Sequence, residues 1–122
     1  MSEHELQDAI IVWLKIQGCY PLRINSGKIQ NALTGTWIEL CPRGTPDIIT
    51  SRPDKSWGGI EVKSPSGSLS MEQITTLRIL DAKGLAWLVA DDLEDVEKWI
   101  HDPSYHGKEK HMKAVKDKFA YS

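Results

Sequence analysis

Two short apolar runs, Asp47-Ile-Ile-Thr50 and Ile60-Glu-Val-Lys63, flank a stretch holding the turn residues Pro53-Asp54 and Gly58-Gly59. This arrangement limits the fold more than any other feature, because short β-rich runs bounded by turn residues are read as strands lying side by side in one sheet. The second run alternates strictly. Successive strand side chains point to opposite faces, so Ile60 and Val62 enter the core while Glu61 and Lys63 emerge together on the other face. One reading of that pair is a solvated ion pair on a half-buried strand. The other makes it part of a site.

The rest of the chain supplies helices and further strands. Ser2-x-x-Glu5 has the spacing of a capping box, and Leu6, Ala9, Ile10, Trp13 and Leu14 repeat at helical spacing up to Gly18. A strand is expected over 20–24, a turn at Asn25-Ser-Gly27 and a strand over 36–40, with no assignment for 28–35. Residues 64–70 read as loop. Ser70 and Gln73 repeat the capping-box spacing before a helix that ends near Lys83-Gly84. A buried strand follows over 86–90. Asp92 then caps a helix bearing Val96, Trp99 and Ile100, and Met112, Val115 and Phe119 mark a lysine-bearing terminal helix. Together these elements predict an α/β fold.

With 122 residues, 40% hydrophobic and 26% charged, the chain has the size of one compact domain, 1–122. Cys19 and Cys41 are too few for a disulfide framework, and no apolar stretch reaches the length of a signal-peptide core or membrane span, so a cytoplasmic, non-membrane protein is expected. The net charge of −2 argues at first against nucleic acid, but its distribution is uneven. Six acids face Lys98 alone over 91–102, whereas 103–122 holds five lysines against Glu109 and Asp117. A basic surface is therefore compatible with the composition. His4, His101, His106 and His111 lack metal-ligand spacing and read as surface residues.

Pairing of the two central strands brings Asp47 towards Glu61. Two carboxylates and the intervening backbone carbonyl of Val62 form an oxygen-rich set suited to Mg²⁺ or Mn²⁺. Lys63 beside such a site can position water and offset charge on a phosphate, a division of labour that fits phosphodiester hydrolysis.

The string Arg43-Gly-Thr-Pro-Asp-Ile-Ile49, Ile60-Glu-Val-Lys63, Gly67-x-Leu69-Ser70 and Gln73 resembles the VRR-NUC (virus-type replication-repair nuclease) branch of the PD-(D/E)xK nucleases, spanning most of residues 3–90. It resembles the small stand-alone phage and bacterial members most. The resemblance implies a restriction-endonuclease-like mixed sheet flanked by helices, with residues 91–122 as C-terminal helices. It also implies a metal-dependent endonuclease that leaves a 5′-phosphate, and a homodimer suited to four-way junctions or other branched DNA. By position, Asp47 and Glu61 would bind metal, Lys63 would activate water, and Gln73 would support the site from the following helix. Gln73 equally suits the cap of Ser70, and the two roles are compatible. The family also places an acid on its first helix. Glu3 lies on the inward stripe of Leu6, Ile10 and Leu14, whereas Glu5 sits at its border and can serve the Ser2 cap.

Arg23 and Asn25 share a strand face, with Lys28 and Arg43 near in sequence, and are either phosphate contacts at the rim of the site or a solvated strand edge. Two rival assignments stand beside the nuclease. One is an idle DNA-binding or assembly module of the same fold. The other is the related archaeal junction-resolvase branch.

Overall fold

The computed structural model describes residues 1–24 and 28–119. Asn25, with the turn expected at 25–27, lies outside the described residues, as do the side chains of Lys28 and Phe119. Helix α1 (Glu3–Ile16) opens on the expected capping box, in which the Glu5 N–H donates to Ser2 Oγ at 3.1 Å and the Ser2 N–H to Glu5 Oε1 at 3.2 Å. There follow β1 (Pro21–Arg23), β2 (Lys28–Gln30), β3 (Trp37–Glu39), β4 (Ile48–Ser51), β5 (Trp57–Val62), α2 (Met71–Ala82), β6 (Ala86–Ala90), α3 (Leu93–His101) and α4 (Glu109–Phe119).

The main sheet runs β1-β4-β5-β6. Its first two pairings are antiparallel and β5 with β6 is parallel, joined by a crossover through α2. Strands β2 and β3 pair separately, which gives structure to part of the stretch the sequence leaves unassigned. Two apolar layers hold the sheet. Ile48, Ile60, Val62, Leu88 and Ala90 pack with Leu6, Ile10 and Leu14 of α1 and with Val96, Trp99 and Ile100 of α3. Trp87 and Val89 pack with Ile74 and Leu77 of α2 and Val115 of α4. This is the α/β architecture of a mixed sheet flanked by helices. Ile10, Ile60 and Leu88 are fully buried, and each contributes about 1.5–3 kcal/mol on burial.

Strand β5 differs from expectation twice. Gly58 and Gly59 are not turn residues but strand residues, and close packing requires them. A Cβ on Gly58 would lie 2.5 Å from Trp99 Cζ2, and one on Gly59 would lie 2.9 Å from Pro46 Cγ. The reversal falls earlier, at Lys55, whose φ is 69°. Nor is the strand solvated on one face: Gly58 to Val62 are all buried, and Glu61 is 2% exposed.

Candidate active site

The antiparallel register pairs Ile48 with Ile60, which sets Asp47, just before β4, beside the carboxyl-terminal end of β5. There Asp47 Oδ2 accepts the Val62 N–H at 2.8 Å. The Asp47 carbonyl accepts the Ile24 N–H at 2.8 Å, so the main chain at Asp47 is held as well. Gly44, at φ 89°, tucks the preceding segment under α2; a Cβ there would lie 2.3 Å from the Glu72 carbonyl oxygen. Only glycine combines that backbone with that approach.

Alternation along β5 turns Glu61 towards α2. Gln73 Nε2 donates to Glu61 Oε1 at 2.8 Å, while Gln73 Oε1 accepts the Ser70 N–H at 2.8 Å and the Gln73 N–H donates to Ser70 Oγ at 3.2 Å. One side chain thus closes the capping box and braces a carboxylate. Glu3 Oε1 accepts the Ser64 N–H at 3.0 Å, directly after Lys63. Glu5 is spent on the cap of α1, where the backbone and hydroxyl of Ser2 hold its carboxyl below the usual range. Of the two helix acids, the structure brings Glu3 to the site.

The electrostatics of the pair are unusual. Burial, then the charge of Asp47, push Glu61 up to about 9, against the opposing charge of Lys63. Burial also raises Asp47, opposed by its bond from the Val62 N–H and by Lys63. Two carboxyls in one water-poor site cannot both ionise cheaply, so the pair retains a proton unless a cation compensates it. Lys63 is half-buried, and its own N–H donates to the Ala90 carbonyl at 2.9 Å.

The rim residues are placed less closely. Arg23 lies on Asp8 of α1 in an ion pair, while Arg43 is exposed.

The uneven charge of the sequence resolves into an internal cluster. Asp91, Asp92 and Asp95 each offer a carboxylate oxygen, all within 4.8 Å of one another, a geometry able to hold a divalent ion. Lys108 Nζ already stands among them, 2.9 Å from Asp92 Oδ2, 2.7 Å from Asp95 Oδ2 and hydrogen-bonded to Asp91 Oδ1. His111 Nε2 lies 3.1 Å from Asp91 Oδ2, and Lys110 Nζ lies 3.3 Å from the same oxygen and also bonds the Pro65 carbonyl. Burial pushes Asp91 up, yet the bonds from Lys108, His111 and Lys110 outweigh it and hold the group at about 2. The ammonium fills the place a metal would take. Separation of six acids from five lysines was the sequence signal for this cluster, but its meaning as an internal contact was not visible there.

Two of the histidines are also corrected from surface positions. His111 is 3% exposed, and His106 stacks on Trp87 at 3.9 Å between ring centroids. The cluster and the carboxylate pair share one end of the sheet, since Asp91 follows the residue that accepts the Lys63 N–H.

Neither a family model nor a curated protein sequence matches this chain. A solved structure described as a VRR_NUC domain does, with a TM-score of 0.60 and 14% identity, over 84% of this chain and 98% of that one. The two share a fold. Among the described residues no helix is long and apolar enough to cross a membrane.

Proposed function

We propose that this chain is a metal-dependent DNA endonuclease of the VRR-NUC type. The observation that carries the reading is the Asp47–Glu61 pair, with Glu61 buried and Asp47 half-buried, raised in pKa, braced by the Val62 N–H and Gln73 and accompanied by Lys63. A solvated ion pair needs none of this bracing, and burying two acids together is costly without a cation or proton to compensate them.

The donor set fits a hard cation. Asp47, Glu61 and the Val62 carbonyl are all oxygen donors, and the pair lacks compensating positive charge beyond Lys63, so Mg²⁺ or Mn²⁺ suits it. Bound there, such an ion supplies Lewis-acid polarisation of a phosphoryl oxygen and neutralises charge. The chain does the positioning. Val62 and Gln73 fix the two carboxylates, Lys63 orients the attacking water and offsets phosphate charge, and Glu3 holds the segment that follows Lys63.

As finer parts of the same proposal, the enzyme acts on branched DNA, such as flaps or four-way junctions, and works as a homodimer. Met112 and Val115 of α4 are engaged in the protein's own core, so the partner surface lies elsewhere.

The test is a cleavage assay with Mg²⁺ or Mn²⁺ on linear, flapped, splayed and four-way DNA. Cutting that stops in chelator is expected. Undiminished cutting in chelator contradicts the metal mechanism, and binding without cutting under every condition leaves the idle module of the same fold.

A further inference from the structure

On the sheet face that bears Glu61, alternation also places Gly59 and Trp57 of β5, with Ile49 paired to Gly59 from β4. Helix α2 leaves this part of the face partly open. The result is a groove of about 250 Å³ lined by Pro46, Ile49, Trp57, Leu80, Leu85 and Ala86 among others. It exists because Gly59, which faces Pro46 and Ile49, has no side chain to fill it. Its wall begins at Pro46, the neighbour of Asp47, and its far end is Trp57, 47% exposed. An indole left half in water at the end of an apolar groove offers a flat apolar face on which a second ring can stack.

Exposed cations lie close in sequence to three of the stretches that line the groove: Arg43 two residues before Thr45, Lys55 before Trp57 and Lys83 before Leu85. Two nearby acids, Asp54 and Asp81, are engaged in hydrogen bonds. Asp54 Oδ1 accepts the N–H and hydroxyl of Ser56, and Asp81 Oδ1 accepts Trp87 Nε1–H at 3.1 Å. An aromatic platform with cations beside it is the recognition chemistry of a single nucleic-acid strand, in which bases stack and phosphates meet positive charge.

We infer that this groove seats an unpaired nucleobase of the strand being cut, stacked on Trp57. The inference rests on the nuclease reading and specifies its substrate. Trp57 and Glu61 are four residues apart on one strand, about 13 Å, or about four steps of a stacked strand and fewer of an extended one. A base paired inside a duplex is stacked on its neighbours and cannot stack on Trp57 without leaving the helix. The groove therefore selects DNA with unpaired nucleotides a few positions from the scissile phosphate, and rejects continuous duplex.

The experiment uses the whole chain with Ca²⁺ in place of Mg²⁺, and short oligonucleotides carrying one 2-aminopurine, either single-stranded or fully paired. Binding of the single strand is expected to quench the probe, with little change for the duplex. Trp57→Ala should abolish the quench and weaken single-strand binding about tenfold or more, while Trp57→Phe retains most of both. Thermal melting and Mn²⁺ titration should match the wild type for both variants, because Trp57 is exposed and outside the carboxylate site. Unchanged single-strand affinity and quench in Trp57→Ala overturn the inference. So does light scattering that shows a dimer split by Trp57→Ala with DNA binding intact, since a second copy then occupies the groove. The two readings fail separately. Cutting without any Trp57 dependence removes the shelf and keeps the nuclease, whereas a Trp57-dependent quench in a protein that cuts no DNA keeps the shelf and removes the nuclease.

Discussion

Glu61 holds a proton far above the usual carboxylate range because water is excluded and Asp47 lies beside it. A native-state pKa of about 9 against an ordinary 4.5 means the folded protein binds that proton more tightly than the unfolded chain. The associated stability is present below about 4.5 and is lost as pH rises towards 9. Without divalent ions, melting temperature should therefore fall across pH 5–9, and Glu61→Gln should flatten the curve and equal or exceed the wild type at pH 8. Parallel curves for the two proteins would contradict the assignment. Asp47→Ala and Glu61→Ala should each lose Mn²⁺ binding in calorimetric titration, whereas Lys63→Ala should keep it yet lose most turnover. The two duties of Gln73 also separate by substitution. Ser70→Ala should cost about 1 kcal/mol as a lost cap and leave turnover within a few-fold, while Gln73→Ala, at similar cost in stability, should reduce single-turnover cleavage much further. Equal cleavage by the two variants would reduce Gln73 to a cap. That the Glu-x-Lys triplet and the Asp before it come together could be read from strand alternation and the expected pairing of the two strands. The depth of burial could not, because it depends on α2 crossing over Glu61.

Among the elements, β5 shows what local pattern conveys and what it omits. Its second half reads correctly from Ile60 and Val62, whereas Gly58-Gly59 mimics a turn because glycine serves both a reversal and a close approach, here to Trp99 and Pro46. Both capping boxes were legible because their partners are three residues apart. The docking of α4 was not, because Lys108 meets its acids across 13 to 17 positions. That contact makes a prediction. Lys108→Met leaves Asp91 and Asp95 buried without their cation. It should cost about 2–3 kcal/mol in urea denaturation at pH 7, less than a wholly buried pair because Lys108 is 38% exposed. Asp91 is depressed to about 2 from 3.8, so its contribution is present above the ordinary carboxylate range and lost as pH falls towards 2. The variant's deficit should accordingly shrink on acidification, and a deficit constant between pH 7 and 2 would refute the ion cluster as its source.

For the molecule as a whole, the charge segregation that left room for a basic surface is spent largely inside the protein. Lys108 and Lys110 serve Asp91 and the loop after Lys63, whereas Lys113 and Lys116 remain exposed. If these two meet phosphates, replacing both by Gln should weaken DNA binding alike for all sequences and reduce the salt dependence by about 0.9 per lost contact. An unchanged slope places the DNA away from α4. The carboxylate site itself is gathered from three stretches: Glu3 from the first helix, Asp47 from the start of β4, and Glu61 to Gln73 from the crossover. Asp47 and Glu61 stand on the two arms of one hairpin, with Ile48 paired to Ile60, so they can meet early, whereas Glu3 reaches Ser64 across 61 positions and arrives late, its loop being longer to close. Time should then divide two effects unevenly. In stopped-flow experiments Mn²⁺ should speed refolding, because its ligands already meet in the transition state, whereas Glu3→Ala should speed unfolding and leave the refolding rate nearly untouched, because an interaction absent from the transition state changes only the escape from the native state.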